Sequence, residues 1–289
     1  MSGVKQKNGD LFLVATPIGN LGDISARARL VLSEVAVIAA EDTRHSGQLL
    51  QHLGIAKPLV SLHEHNEARR TDDLVERLKR GESVALISDA GTPLISDPGF
   101  DLVRAVIAQG IRVVPIPGAC AAVAALSAAG LATDRFAFEG FLPAKAAGRR
   151  ARLETLAQDE RTLIFYEAPH RLAETLADIA GVYGERRVTV ARELTKQFET
   201  MYYGTAQELA LRATQDADMN RGEIVIVVAG ASPETRSATS LDADKLLRTL
   251  LEEVAPALAA KLAAKLTGEK RSELYDRAIA MNVKAGRDR

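Results

Sequence analysis

Three short stretches rich in proline and glycine, each closely associated with an apolar, β-rich run, are the residues best suited to bind a ligand. They are "ATPIGN" at 15–20, "SDAGTPLISDPG" at 88–99 and "PIPGA" at 115–119. Glycine lets a ligand come close to the backbone and proline holds a loop in one shape, although both residues weaken regular structure. Any one of the three is compatible with an ordinary strand-to-helix turn. Together they predict a site at one edge of a sheet, where ligands of open α/β folds bind.

Common phosphate and metal sites are not indicated. The sequence has no G-x-x-x-x-G-K-[ST] motif and no G-x-G-x-x-G motif behind its first β-rich run, which argues against a P-loop and a Rossmann dinucleotide site. Five scattered histidines and a single cysteine, Cys120, give no cluster with metal-ligand spacing, so we predict no metal site. The single cysteine also excludes an internal disulfide and indicates a cytoplasmic protein.

Hydrophobic periodicity indicates the elements that must position these loops. Between residues 11 and 118, five β-rich runs alternate with four stretches that have apolar residues at helical spacing. This alternation predicts a first α/β domain, 1–118, with a parallel or mostly parallel sheet. Residues 119–230 contain more strand and fewer crossovers, which predicts a second α/β domain with a mixed sheet.

The C-terminal part of the chain differs from both α/β domains. Residues 231–240, "ASPETRSATS", have the composition of a polar linker. Residues 241–289 show only helical patterns, with Pro256 at the start of one predicted helix, Gly268 at its end and a very short turn before the last helix. This pattern predicts a small all-helical extension similar to a helix-turn-helix bundle.

Composition and charge are those of an ordinary globular protein. The 289 residues are 47% hydrophobic and 26% charged, which is enough apolar material for the cores of about two domains. The N-terminal residues are polar and no apolar run reaches the ~20 residues of a membrane span, so we expect neither a secretory signal nor a membrane span. The formal net charge is −1, so a nucleic-acid partner would have to be bound by local basic patches.

Several longer motifs make the sequence similar to a known family. "VATPIGNLGDIS", "AAEDTRHSG", "SDAGTPLISDPG", "EGFLPAK", "RTLIFYEAPHRL" and "ARELTK" resemble, in order and spacing, motifs of the ribosomal RNA small subunit methyltransferase I family. The similarity runs from about residue 11 to residue 230, and the helical extension resembles the helix-turn-helix domain that many members carry. That family belongs to the tetrapyrrole-methylase fold, also called the class III S-adenosylmethionine methyltransferases.

The resemblance implies a fold, a reaction and partners. The fold is two tetrapyrrole-methylase-type α/β domains with a cofactor cleft between them. The reaction is transfer of a methyl group from S-adenosylmethionine to the ribose 2′-hydroxyl of a decoding-site cytidine in 16S rRNA, as naked RNA or in the 30S subunit. The resemblance also implies a homodimer. Two alternatives stay open: a small-molecule methylase that acts on a tetrapyrrole, and a non-catalytic RNA-binding protein.

The implied cofactor site has a part in each α/β domain. A folded, zwitterionic nucleoside with a sulfonium needs backbone donors and acceptors at close range more than long side chains. Strand alternation should send one of Phe165 and Tyr166 to the core and the other to the cleft. The expected cofactor-binding residues are Asp89, Ala90, Gly91, Thr92 and Pro93 of the first domain and Ser127, Phe165, Tyr166 and Glu223 of the second.

The implied chemistry also points to catalytic candidates. A ribose hydroxyl is a weak nucleophile, so the reaction would gain from a general base or from a cation that stabilises the developing alkoxide. The segment "ARELTKQFE" (191–199) offers Glu193 and Lys196 for this task, and Glu167 is a further candidate. A charged surface run is the competing interpretation of the segment.

Two basic segments are candidates to meet the RNA backbone. "KAAGRRAR" (145–152) has four basic residues and no acidic one, and it contributes Lys145, Arg149 and Arg150 as expected substrate-binding residues alongside Arg44. The last 29 residues of the chain carry eight Lys/Arg against four Asp/Glu, a net charge of +4. Phosphate contacts of such residues give a salt-dependent attraction. A solvated helix face is the alternative for both segments.

Overall fold

The computed structural model describes residues 8–63, 66–232 and 243–285. They divide into two compact units, one within residues 1–157 and 161–229 and the other within 158–160 and 230–289. The first unit contains two α/β sheets, and the second contains the helical extension. Most of the predicted linker, 231–240, lies outside the described residues.

Five parallel strands form the first sheet. They are β1 Leu11–Val14, β2 Val37–Ala40, β3 Leu59–Ser61, β4 Val84–Ile87 and β5 Val113–Ile116, in the spatial order β3-β2-β4-β1-β5. Every neighbouring pair is parallel, which confirms the prediction from strand–helix alternation. Because the carboxyl ends of parallel strands share one edge, the loops that follow β2, β4, β1 and β5 are neighbours.

Helices cover both faces of this sheet. They are α1 Ala26–Glu34 and α2 Thr43–His52 on one face, and α3 Glu67–Lys79 and α4 Phe100–Ala108 on the other. Their apolar stripes pack on the strands, so β2 and β4 are buried along their whole length. Capping side chains fix where the helices on the first face begin: Ser25 accepts from the Ala28 N–H at 3.0 Å, and Asp42 caps α2.

The second sheet is mixed, as predicted. The elements are α5 Ala121–Ala128, β6 Phe136–Phe141, α6 Ala146–Thr155, β7 Thr162–Glu167, α7 Leu172–Tyr183, β8 Arg187–Arg192, β9 Thr200–Thr205, α8 Ala206–Gln215 and β10 Ile224–Val228. The spatial order of the strands is β6-β7-β10-β8-β9, with β6 and β7 parallel and the other pairs antiparallel. Helices α6, α7 and α8 cover one face, and the Ala-rich α5 covers part of the other.

The helical extension has a core of its own. It consists of α9 Ala243–Glu253, α10 Pro256–Thr267 and α11 Arg271–Ala285. Pro256 begins α10, and Gly268 ends it in the left-handed conformation, both as predicted. Leu247 and Leu274 are fully buried against alanines of α10. Within the described ranges of the chain, no helix is long and apolar enough to cross a bilayer.

Candidate functional site

The three Pro/Gly-rich loops form one connected structure at the carboxyl edge of the first sheet. Thr16 and Gly91 exchange two backbone hydrogen bonds, of 2.8 and 3.1 Å, which join the loop after β1 to the loop after β4. The Thr92 hydroxyl donates to the Ala119 carbonyl at 2.9 Å, which joins the loop after β4 to the loop after β5. The predicted grouping of these loops at one sheet edge is therefore confirmed.

Glycine is required at two points where these loops pack. Gly91 has a φ of +81°, and a Cβ atom there would lie 3.2 Å from the Ile18 Cγ2. A Cβ atom on Gly118 would lie 2.9 Å from the Ala15 Cβ, which real structures do not tolerate without a shift. The glycines therefore let the backbones of the three loops approach each other closely.

Asp89 connects the loop after β2 to the same structure. Its Oδ1 accepts a hydrogen bond of 3.1 Å from the Asp42 backbone N–H. Asp42 accepts from the Arg44 N–H at 2.8 Å, and its carboxylate pairs with the Arg44 guanidinium at 3.0 Å. The side-chain hydrogen bond from Arg44 lowers the pKa of Asp42 to about 2. The Arg44 side chain is 90% exposed, so it is accessible to a substrate.

A cavity of about 500 Å³ opens between these loops and the second sheet. Its volume lies within the ~300–1,000 Å³ that is usual for small-molecule sites. The predicted site residues in its lining are Asp89, Ala90, Gly91, Thr92, Tyr166, Glu167 and Glu223. Both α/β parts of the first compact unit therefore contribute predicted residues to one cavity.

The charge of the cavity lining is negative. It contains five carboxylates, and none of the described lining residues is Lys, Arg or His. The carboxylates belong to Glu41, Asp89, Asp97, Glu167 and Glu223. Burial, and in addition the nearby Asp89, raises the pKa of Asp97 against the opposing effect of a hydrogen bond from Ser88. A lining of one sign favours a ligand that carries positive charge.

Alternation along β7 separates Phe165 from Tyr166, as predicted. Phe165 is fully buried in the core under α6, α7 and α8. Tyr166 lines the cavity, where its Oη accepts a hydrogen bond of 3.2 Å from the Ala122 N–H. Burial raises the pKa of Tyr166 to about 12, so the side chain is a neutral phenol at physiological pH.

Glu193, Lys196 and Glu223 form a connected charged group beside the cavity. The Lys196 Nζ lies 2.9 Å from the Glu193 Oε1 and 3.2 Å from the Glu223 Oε1. The same Glu193 oxygen accepts the Glu223 N–H at 2.8 Å. The Lys196 stem lies so close to Gly19 that a Cβ atom on this glycine would collide with the Lys196 Cγ, so the lysine packs against the loop after β1. The group therefore belongs to the second α/β part and contacts the first through Lys196.

The protonation of this pair decides what it can do. Burial opposes the charged form of Lys196, but the hydrogen bond to Glu193 and the charge of Glu223 outweigh it and raise the pKa of Lys196. Burial likewise opposes ionisation of Glu193, but the hydrogen bonds from Lys196 and from the Glu223 backbone lower its pKa. A protonated lysine is no general base, whereas it can stabilise negative charge that develops beside it.

Glu167 is buried, and its carboxylate is occupied. Its Oε1 accepts from the Ala168 N–H at 2.8 Å and lies 3.2 Å from the Arg171 Nε, and its Oε2 accepts from the Thr175 hydroxyl at 2.6 Å. Arg171 in turn donates to the carbonyls of residues 142 and 143, at 2.8 and 3.1 Å. These contacts favour a role for Glu167 in holding the loop after β6 over a role in proton transfer.

The predicted basic segment contains both accessible and inaccessible side chains. Lys145 and Arg150 are exposed at the start of α6. Arg149 is only 1% exposed, and its Nε donates to the Asp178 Oδ2 at 2.6 Å. The buried ion pair fastens α6 to α7, so Arg149 is not available to a substrate. This placement corrects the predicted substrate-binding role of Arg149.

Three predicted cofactor residues lie outside the cavity lining. Pro93 is buried, Phe165 is in the core, and Ser127 is exposed on α5, where its hydroxyl donates to a carbonyl of its own helix. Their side-chain positions do not support the predicted contacts. Conversely, Asp97 and Phe141 line the cavity without having been predicted. Both lie within motifs that the sequence singles out, but the sequence does not show which motif residues face inward.

Family models match most of the chain. Residues 10–210 match the model described as Tetrapyrrole (Corrin/Porphyrin) Methylases, and residues 237–282 match the model described as RsmI C-terminal HTH domain. The first match contains strands β1 to β9 of the two sheets and ends within α8, before β10. The second corresponds to most of the helical extension.

Curated proteins with high identity cover nearly the full length. The chain is 57% identical over 279 residues to the ribosomal RNA small subunit methyltransferase I of Pseudomonas aeruginosa, across 96% of this chain and 99% of the relative. It is 50% identical over 272 residues to the protein of the same name from Escherichia coli O157:H7, across 94% and 95% of the two chains.

Solved structures with low identity share the fold. The uroporphyrin-III-C-methyltransferase from Thermus thermophilus matches with a TM-score of 0.55 at 22% identity, over 76% of this chain and 94% of that one. The methyltransferase CobJ matches with a TM-score of 0.57 at 19% identity, over 77% and 95%. A Thermus enzyme complexed with S-adenyl homocysteine matches with a TM-score of 0.54 at 17% identity, over 76% and 97%. These likenesses confirm the predicted tetrapyrrole-methylase α/β fold.

Proposed function

The chain belongs to the ribosomal RNA small subunit methyltransferase I family, and from this membership we propose that it methylates 16S rRNA with S-adenosylmethionine. The acceptor in this proposal is the ribose 2′-hydroxyl of a decoding-site cytidine, in the 30S subunit in the cytoplasm. The observation that carries the proposal is an acidic cavity, lined in part by the loop that contains Gly91, with a protonated lysine beside it. The homodimer stays a prediction of the resemblance.

The cavity residues fit S-adenosylmethionine. The loop from Asp89 to Thr92 lines the cavity, so its backbone groups, apart from those of Gly91 that bond to Thr16, are placed to contact the cofactor. The acidic lining suits the sulfonium and ammonium charges of the cofactor, and the related Thermus enzyme was solved with S-adenyl homocysteine. When bound, S-adenosylmethionine would supply a methyl group on a leaving group that is already activated.

Lys196 is the residue that we assign to the chemistry. Its ammonium group stays charged at neutral pH and is held by Glu193 and Glu223 at the side of the cavity. There it would stabilise the negative charge that develops on the ribose oxygen as this oxygen takes the methyl group from the sulfonium and the hydroxyl proton passes to water. Glu193 is a positioning residue in this assignment, because its carboxylate orients the lysine. Much of the remaining rate would come from holding the two reactants together.

The substrate side is assigned to exposed basic residues. Arg44 follows β2, and Lys145 and Arg150 lie at the start of α6. Arg149 is excluded from this set because it is buried. Contacts of these side chains with phosphates would position the RNA without reading its sequence.

A methyl-transfer assay tests the proposal directly. The protein is incubated with tritiated S-adenosylmethionine and either 30S subunits that lack the modification, fully modified 30S subunits, naked 16S rRNA or tetrapyrrole precursors. We expect label only with unmodified RNA, and in an alkali-resistant dinucleotide, because a 2′-O-methyl group blocks cleavage of the next phosphodiester. Label in a tetrapyrrole would favour the small-molecule alternative, and no transfer despite RNA binding would favour the non-catalytic one.

A further inference from the structure

Phe141 is an aromatic side chain at the cavity that the proposed chemistry does not use. It is the last residue of β6, it lines the cavity, and it is 58% exposed. A single exposed phenylalanine needs no explanation by itself. Three further features of its surroundings give it a role.

A β-bulge turns Phe141 to the cavity side of the sheet. Phe138 pairs with Ile164, and after an irregularity Gly140 pairs with Phe165 and Phe141 with Tyr166. Regular alternation would place Phe138 and Phe141 on opposite faces, whereas the extra residue places both on the face of Tyr166. Gly140 permits the bulge because it adopts a φ of +65°.

The Phe141 ring is braced on one side. It meets the Tyr166 ring edge to face, with centroids 5.7 Å apart, and Tyr166 meets Phe138 in the same manner at 4.8 Å. The two carbonyls that follow Phe141 are held by Arg171, which is itself anchored on Glu167. The ring is therefore a supported aromatic surface at the end of β6, next to a loop that Arg171 holds, and more than half of the side chain is exposed to solvent.

The size of the cavity limits which part of an RNA substrate can contact the Phe141 ring. A volume of about 500 Å³ suits one small molecule, so a nucleotide that belongs to a polymer has to be held at the opening. The chain continues from Phe141 to Lys145 and Arg150, two exposed cations that are available to phosphates of the RNA. Proteins commonly hold unstacked RNA bases on aromatic side chains.

We propose that Phe141 is a stacking platform for the nucleobase of the target nucleotide. The proposal rests on the proposed function, since it assumes that an RNA nucleotide is the methyl acceptor. Stacking of the unpaired base on the ring would place its ribose at the cavity opening, beside the methyl donor. One such platform is compatible with a protein in which aromatic residues are only 4% of the sequence.

Four variants of the full-length protein test the platform. They are Phe141→Ala, Phe141→Leu and Phe141→Tyr, and the control Phe136→Ala, which truncates a 45% exposed phenylalanine at the other end of β6, outside the cavity lining. Methylation of 30S subunits gives KM and kcat, and calorimetry gives the Kd for S-adenosylmethionine. We expect the Ala and Leu variants to raise KM about 10-fold or more. The KM of the Tyr variant and of the Phe136→Ala control should stay near that of the wild type. The Kd for S-adenosylmethionine should be unchanged in all four variants.

The readouts separate the other roles that Phe141 could have. A cofactor Kd weakened as much as KM would place the ring against the adenine of the cofactor and overturn the proposal. If the Leu variant has a KM near wild type, as the Tyr variant does, the side chain contributes apolar packing and not stacking, and the proposal is wrong. If the KM is unchanged in all variants, the ring has no role in substrate binding. Wild-type protein that fails to methylate 30S subunits while binding the cofactor would instead contradict the proposed function.

Discussion

Left-handed backbone conformations at residues with side chains occur on both sides of the cavity. Leu94, Ser96, Glu193 and Thr195 have φ angles between +52° and +70°, and the described part of the chain contains no other such residue apart from glycines. Conformations of this kind cost on the order of 1–3 kcal/mol each. Two lie in the loop after β4 and two in the loop after β8, which carries Lys196. The strain is therefore concentrated in the loops that position the proposed cofactor and catalytic groups.

Replacement of Lys196 tests the proposed catalytic assignment at this scale. Lys196→Ala should lower single-turnover methylation by about 10²-fold or more, because the variant has no preorganised charge beside the developing alkoxide. Glu193→Gln should lower the methylation rate less, since Lys196 keeps its charge but loses the carboxylate that orients it. The Kd for S-adenosylmethionine, measured by calorimetry, should hardly change in either variant. Full activity of both would assign the segment a structural role.

The pH dependence distinguishes a lysine cation from a lysine base. The pKa of Lys196 is raised and that of Glu193 is lowered, so the ion pair persists across neutral pH. The contribution of the cation to the rate should therefore be constant there and should disappear only where alkaline pH deprotonates Lys196. A general base would show the opposite, a rate that rises as the lysine loses its proton. The pH profile of Lys196→Ala, which lacks this group, serves as the reference.

At the scale of elements, the sequence predicted the features that depend on the local pattern of apolar residues, namely the types of the elements and the faces of a strand. The alternation of strands and helices along the chain predicted a parallel sheet. The alternation of side chains along one strand predicted that Phe165 and Tyr166 point to opposite faces of the sheet, because the direction of each side chain follows from its place in the strand. Arg149 could not be placed in the same way, since its burial depends on Asp178, 29 residues further on. The orientation of Phe141 likewise depends on a bulge that forms only when β6 pairs with β7. Contacts between elements therefore decided which charged and aromatic residues face the site.

Because Arg149 is buried and Arg150 is exposed, we expect two neighbouring arginines of α6 to have different roles, Arg149 in stability and Arg150 in substrate binding. Removing one partner of a buried ion pair costs roughly 3–5 kcal/mol where the other charge stays buried without a close partner. Without Arg149, Asp178 would keep the more distant Arg150, whose Nε lies 3.6 Å from its Oδ1. Arg149→Ala should therefore lower the free energy of unfolding by about 3 kcal/mol in urea titrations, or less if water reaches Asp178. Its folded fraction should bind 30S subunits as wild type does.

The neighbouring Arg150 is the matched control for this prediction. Its side chain is 57% exposed and lies 3.6 Å from the Asp178 carboxylate, so Arg150→Ala should lower the free energy of unfolding by about 1 kcal/mol or less. If Arg150 contacts RNA phosphate, its replacement should weaken binding and make it less dependent on salt. A result in which Arg149→Ala weakens RNA binding without destabilising the fold would contradict the assignment of the two residues.

At the scale of the whole molecule, the chain combines a catalytic unit with a helical extension that has its own core and caps. The formal charge of the full sequence is −1, whereas its last 29 residues carry eight basic against four acidic residues. Part of this charge is internal, since Arg277 pairs with Asp244 and Glu269. Among the described residues of the extension, Lys261, Lys265 and Arg271 are exposed and available to phosphates, whereas the exposed Lys270 lies 3.7 Å from Glu273.

The extension is therefore predicted to dock RNA, and neutralising its exposed basic residues tests this. The triple variant Lys261→Ala, Lys265→Ala, Arg271→Ala should bind 30S subunits more weakly, and the slope of log K against log salt should fall by about one for each phosphate that the variant leaves unneutralised. S-adenosylmethionine affinity should not change. A charge-matched control replaces Arg80, Arg104 and Arg212, which are exposed on the first unit and outside the cavity lining.

Truncation at about residue 235 completes the test, because it removes the extension and not only its charge. If the extension docks RNA, the truncated protein should fold, bind S-adenosylmethionine normally and show the same shallow salt dependence as the triple variant. If the extension only stabilises an oligomer, truncation should lower the melting temperature or produce monomers in sedimentation, while the salt slope stays that of the full chain. An unchanged slope in both the triple variant and the truncated protein would contradict the docking role, since a protein that neutralises fewer phosphates must release fewer counterions on binding.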